Sequence, residues 1–433
     1  MKHLFKIIFF LAFGFSSQAQ EILKLENAVK IALENNYDIK IAKNNLKIDE
    51  TNSTAGNAGM LPTISANVVN NNSILNTSQT QTTGEVRTLD NAKNFNLTYG
   101  VGLDWTIFDG MRMFARREQL KVLQQQGEAE LKLAIITKIG DVYSTYYDLV
   151  QQQQQIKALD TAIVISNQRL NTAQNRYTIG KAAKLEVLNA QVDLNTDVSS
   201  RLKQLELYQN SKIRLNEILA RDSQTAFKVD DEILIDGSLL YADLKTLSEK
   251  QNPQLQAQLL EKNNAELQLK QVKAGRYPTV TINSGYNFTR SEASLGFVSQ
   301  SQSRGLVYGI NASVPIFNGF NQNRNEKVAK LQVENIENTI NLQKNTLNSQ
   351  LSMAFQSYQT YLELSKVEET NVEIAKQNLN ITLDKFKIGT ITPIEYRTAQ
   401  LNYVNAIVRF SNAQFQSKLY EISLKELSGT LGF

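Results

Sequence analysis

Few side chains in this chain are suited to covalent or metal chemistry. It has no cysteine, and its single histidine is His3. That excludes cysteine nucleophiles, disulfides and ordinary zinc sites. The carboxylates are scattered along helical patterns, so no acid pair for hydrolysis stands out. There is no glycine-rich phosphate loop and no calcium-loop spacing. No catalysis, cofactor or metal is expected. What remains is two acids in matching places, Glu186 and Glu395, each just after a repeated turn. Thr392–Pro393–Ile394–Glu395 reads as a capping box with proline at the first helical position. Ala183 replaces the threonine before Glu186, so there the helix dipole alone would favour the acid.

The turns that place these acids are Arg176–Tyr177–Thr178–Ile179–Gly180 and Lys385–Phe386–Lys387–Ile388–Gly389. Both run basic, aromatic, spacer, isoleucine, glycine, 209 residues apart, with Gln191 and Gln400 following at the same distance. Ile107–Phe108–Asp109–Gly110 and Ile316–Phe317–Asn318–Gly319 keep that offset, so the chain is internally duplicated. Glycine ends a helix by taking the left-handed conformation, which makes each repeat a helical hairpin with its tip at 176–181 or 385–390.

Residues 1–19 read as a secretory leader. Lys2 and Lys6 precede a short apolar run, and Ser17–Gln18–Ala19 is a small-x-small cleavage site. Its removal takes His3 and two of the 46 basic residues, leaving 44 against 42 acids. A near-neutral exported chain is a poor nucleic-acid binder.

Residues 20–221 form the first repeat and 241–428 the second, with a segment at 222–240 between them and a tail at 429–433. Each repeat opens with short helices; Ala28, Val29, Ala32 and Leu33 mark one face. The second polar helix runs from Tyr37 to about Asn57, with its counterpart at about 254–273. Strands follow at about 62–72 and 95–108, and at about 278–288 and 305–317. From Phe95 to Ile107 the odd positions are all apolar and the even positions polar or glycine. Loops near 76–93 and 290–304 join the strands. The long hairpins occupy 111–221 and 320–428. Val142, Leu149, Ile156, Ile163, Leu170 and Tyr177 recur every seven residues, as do Leu351, Tyr358, Ser365, Val372, Leu379 and Phe386. Ile394, Leu401, Val408, Phe415 and Ile422 continue the period beyond the second tip, and such repeats supercoil. Short strands are expected at 227–229 and 233–235. The terminal Phe433 follows a helix rather than a strand, so it is not read as a barrel assembly signal.

Strands with one apolar and one polar face fit a soluble sandwich or a membrane barrel. The chain offers no second layer except heptad helices, which favours the barrel. Four strands cannot close one, since the smallest need about eight. Open edges cannot face lipid, so the strands must be pooled between copies: two, three or four copies give 8, 12 or 16 strands.

Together these features resemble the TolC-like outer-membrane efflux proteins over nearly the whole mature length. The resemblance rests on the duplication, Leu25–Asn36, Pro62, Pro278, the Ile-Phe-x-Gly turns, and the two aromatic-x-Ile-Gly tips followed by Glu186 and Glu395. It implies a mostly α fold with a transmembrane β-barrel portion. Three protomers would give a 12-stranded barrel in the outer membrane and an α-helical tunnel in the periplasm. The implied function is an exit duct of a tripartite efflux pump or type I secretion system, working with a periplasmic adaptor and an inner-membrane transporter. Tyr177, Ile179, Gly180, Phe386, Ile388 and Gly389 would contact the adaptor. Two acids one turn apart narrow the tunnel in the family; Glu395 matches the first, and Thr398 replaces the second, so the pore gate should be less acidic. The alternative is a periplasmic coiled-coil scaffold without channel activity, separable by its solubility without detergent.

Overall fold

The computed structural model describes residues 22–230 and 232–432. The leader read at 1–19 and the terminal Phe433 lie outside the described residues. One order of elements runs through the chain twice: α1 (Leu25–Asn35), α2 (Tyr37–Asn52), β1 (Thr63–Thr80), β2 (Val86–Phe108), α3 (Arg112–Thr178) and α4 (Lys184–Ile218), then α5 (Tyr241–Gln251), α6 (Pro253–Ala274), β3 (Thr279–Ala293), β4 (Gln300–Ser313), α7 (Asn321–Ile388) and α8 (Pro393–Leu427). No described helix is long and apolar enough to cross a membrane. The described elements group into two compact units, one of residues 41–133 and 253–346, the other of residues 22–40, 134–252 and 347–432.

The first of these units holds a four-stranded antiparallel sheet in the order β1-β2-β3-β4. Each strand continues beyond its apolar alternation, so β1 reaches Thr80 and β2 begins at Val86. Strand pairing continues through the polar residues because backbone hydrogen bonding does not depend on side-chain polarity. At the other end β4 stops at Ser313, four residues before the expected limit. Register places Ile64, Leu103, Ser284 and Tyr308 side by side, then Ala66, Val101, Tyr286 and Leu306, then Val68, Tyr99, Phe288 and Arg304. Opposed residues share a face, so the apolar sets of all four strands combine on one side. β1 and β4 are the two edges of the sheet.

The strand-to-helix turns are built alike. Gly110 and Met111 have φ of 71° and 69°, and Gly319 and Phe320 have 65° and 61°. A Cβ on Gly110 would lie 2.5 Å from the Ala274 carbonyl oxygen, so this turn excludes any larger residue. Asp109 and Asn318 then cap the long helices: Met113 N–H donates to Asp109 Oδ1 at 3.1 Å, and Gln322 N–H to Asn318 Oδ1 at 3.3 Å.

In the other unit the apolar seven-residue stripe of α3 enters the core at Val142 and Leu149, against Ala28, Val29 and Ala32 of α1, Leu215 and Leu219, and Ile422 of α8. The 227–235 segment joins that core without forming the expected strands. Phe227, Val229 and Ile233 are buried there, and the only bridge among the described residues pairs Ile22 with Lys228. The Lys212 ammonium and the Arg221 guanidinium both lie over the Phe227 ring, 5.2 and 4.6 Å from its centroid. Burial fixes this segment through its aromatic and apolar side chains, so it needs no ladder. Asp236 accepts from both the side chain and the backbone N–H of Ser238, which, with Lys425, holds its carboxyl down to about 2.

Candidate functional site: the hairpin tips

Both tips close as the glycines require. Gly180 and Gly389 have φ of 72° and 86°, in open space where the backbone angle alone selects glycine. Lys181 N–H donates to the Arg176 carbonyl at 2.7 Å and Thr390 N–H to that of Lys385 at 3.1 Å, so the last carbonyls of α3 and α7 are satisfied.

Beyond this shared turn the surroundings diverge. Tyr177, Ile179 (65% exposed) and Ile388 (77% exposed) project from the tips. Phe386 is 3% exposed and stacks on Tyr396 with ring centroids 4.9 Å apart, within a cluster that includes Leu379 and Ala399. Ile394 and Leu401 are exposed, although they continue the seven-residue stripe. The start of α8 instead buries Tyr396, Ala399, Gln400 and Val404. The face turned inward is the one that meets Phe386, Ser166 and Asp197, not the one the period alone implies.

Glu395 forms the expected capping box. Its carboxylate accepts from Thr392 N–H at 2.7 Å, and its own N–H donates to Thr392 Oγ1 at 3.3 Å. The Thr392 backbone and hydroxyl donors hold the Glu395 carboxyl below its ordinary value. Thr398, one turn on, is exposed, and its hydroxyl donates to the Ile394 carbonyl at 3.0 Å. Glu186 has no cap partner at Ala183; it pairs instead across the turn with Arg176, at 3.4 Å.

Below the tips lies a group that the sequence reading did not identify. Arg397 of α8 makes a two-pronged contact with Asp197 of α4, both bonds 2.8 Å. Arg169 of α3 donates to Asp193 of α4 at 2.5 Å. Ser166 of α3 donates to Asp197 at 2.5 Å and receives the Gln400 amide at 2.8 Å; that amide also reaches the Ala162 carbonyl at 2.9 Å. Burial opposes the charge on Arg397, but Asp197 outweighs it and holds the guanidinium above its ordinary value. The only hint in the sequence was the echo of Gln191 by Gln400, and the copies differ: Gln400 is fully buried, while Gln191 is exposed and donates to Asn195. A cleft of about 490 Å³ opens beside this group, lined by Leu185, Val192, Pro393, Ile394, Arg397 and Thr398 among others. Among the described residues no cluster of acids or histidines could hold a metal ion.

A family model described as outer membrane efflux protein matches residues 28–221 and 245–430. The outer membrane protein TolC of Vibrio cholerae is 21% identical over 294 residues, 67% of each chain. TolC of Escherichia coli is 20% identical over 278 residues, which is 61% of this chain and 55% of that protein. Among solved structures, the Campylobacter jejuni CmeC outer membrane channel superposes with a TM-score of 0.81 at 16% identity, covering 94% of this chain and 85% of that one. The outer membrane protein VceC of Vibrio cholerae gives 0.75 at 16% identity, over 94% and 96%. With both of its halves matched, this chain belongs to the outer membrane efflux protein family, whose members are outer-membrane channels.

Proposed function

We propose that three copies of this chain pool their sheets into a 12-stranded barrel and serve as the exit duct of a tripartite efflux pump or type I secretion system. The observation that carries this reading is the sheet itself. It has four strands, one mainly apolar face that turns polar toward the loops, and unpaired edges at β1 and β4. β1 is antiparallel to β2, and β4 to β3, so β4 of one copy runs antiparallel to β1 of the next and a closed ring leaves no edge. Such a duct needs no catalytic chemistry. It carries small molecules or polypeptides supplied by an inner-membrane transporter through a periplasmic adaptor. Tyr177, Ile179, Gly180, Ile388 and Gly389 present the adaptor surface, and Phe386 supports it from beneath. Glu395 and Thr398 form the pore gate. Native mass spectrometry in detergent tests the assembly. A complex of three chains is expected, and a monomer with an intact β signal would overturn the reading. Two or four copies would keep a barrel but change its strand number to 8 or 16.

A further inference from the structure

The paired strands distribute their charge unevenly. Residues 63–75, 92–108, 279–293 and 300–313 contain three cations, Lys93, Arg290 and Arg304, and two acids, Asp104 and Glu292. Register puts Arg304 opposite Phe288, itself opposite Tyr99; Arg290 lies opposite Leu97 and Glu292 opposite Phe95, with Lys93 two residues further on. All three cations therefore share the apolar face, and within these ranges the polar face has none; Arg87 pairs with Gln79 on that other face, beyond the bulge after Leu75. They also cluster at one end, next to the loops and away from the strand ends that lead into the helices.

That end is where the apolar band stops. On β2 this face is apolar or aromatic from Trp105 to Tyr99, six residue steps or about 20 Å along the strand. This approaches the roughly 25 Å band of an outer-membrane barrel. Tyr99 and Phe288 stack with centroids 5.0 Å apart, and Tyr286 meets Phe288 at 5.3 Å, an aromatic girdle just below the cations. A groove of about 580 Å³ runs there, lined by Leu97, Tyr99, Phe288, Arg290, Gln302 and Arg304 among others. Arg290 shares Glu292 at 2.6 Å, but neither Lys93 nor Arg304 has an ion-pair partner among the described residues. A neighbouring copy would not neutralise Arg304, because β1 contains no charged residue.

We propose that this groove binds a phosphate of an outer-leaflet glycolipid of the lipid A type, with Arg304 and Arg290 as the donors and Lys93 at the rim. The proposal rests on the barrel reading, which turns the apolar face toward lipid and the loops toward the cell exterior. Diagonal neighbours on a sheet are about 7–8 Å apart, so two guanidinium groups can converge on one phosphate while Leu97, Tyr99 and Phe288 contact the acyl chains. Arginine suits this because its planar fork grips phosphate oxygens and is weakly hydrated.

Native mass spectrometry of the assembled protein tests it, with added bis-phosphorylated lipid A, its phosphate-free analogue, or inorganic phosphate. The wild type is expected to retain the phosphorylated lipid preferentially. The Arg290→Gln/Arg304→Gln variant should lose roughly tenfold or more in affinity, with Lys93→Gln losing less. Arg87→Gln, at the loop end of β2 where Arg87 pairs with Gln79, is the control and should bind normally. Equal retention of both lipids, or no loss in the double variant, overturns the proposal. Competition by inorganic phosphate as effective as by the lipid would do the same, marking a simple anion site. The assembly is weighed before lipid is added, so a monomer fails the barrel reading and this one together. A trimer indifferent to lipid phosphate fails this one alone.

Discussion

The two hairpin tips share a turn but not an environment. At the first, Glu186 is held by Arg176, the helix start has no side-chain cap, and both the aromatic Tyr177 and Gln191 face outward. At the second, Glu395 closes a capping box, Phe386 stacks beneath the turn, and Gln400 is buried among Ala162, Ser166 and Asp197. Duplication preserved the geometry that a glycine dictates and let everything around it change. The divergence is complementary: the first hairpin supplies the carboxylates Asp193 and Asp197, and the second supplies the guanidinium and amide that meet them.

The largest expected effect comes from breaking that complementarity. Asp197→Ala leaves the partly buried Arg397 guanidinium with only the longer ionic contact to Asp193, at 3.7 Å, and should cost up to about 3 kcal/mol, read from denaturant unfolding of the mature chain. The paired change Asp197→Leu with Arg397→Met should cost much less, because it removes both charges together. Equal losses in the single and double variants would mean that the ion pair does not join the hairpins.

Next come the turns. Gly389→Ala and Gly180→Ala force a side chain into the left-handed region and should each cost about 1–2 kcal/mol locally. Hydrogen exchange at the two tips reads the loss. Thr392→Ala should cost about 1 kcal/mol by removing the cap, whereas Ala183→Thr should gain stability at the first tip. No gain from Ala183→Thr would show that the Arg176–Glu186 pair already fills the role.

A pH titration sharpens the contrast further. The folded Glu395 carboxyl is depressed, so its contribution is present above its unfolded value and is lost as pH falls through the folded one. NMR titration of the two glutamates reads this, and a Glu395 carboxyl titrating at its ordinary value would remove the cap from the account. The smallest effect is expected at the pore. Glu395→Gln should lower cation preference in single-channel recordings, with Glu186→Gln doing so less. Unchanged selectivity with the assembly intact would leave Glu395 as a cap only.

The duplication, the alternation of the strands, the left-handed glycines and the capping box were all legible in the sequence. Each is set by residues adjacent in the chain: period 2 against period 7, a glycine where φ must be positive, a threonine three residues before a glutamate. The Arg397–Asp197 contact joins residues 200 apart and has no local pattern. The outward turn of Ile394 and the burial of Gln400 depended on which face of α8 the first hairpin receives, and a seven-residue stripe does not specify that. The grouping of Lys93, Arg290 and Arg304 needed the register of three strands before it became visible. Local backbone preferences are written in sequence order, whereas the pairing of distant charges is decided only when packing brings their elements together.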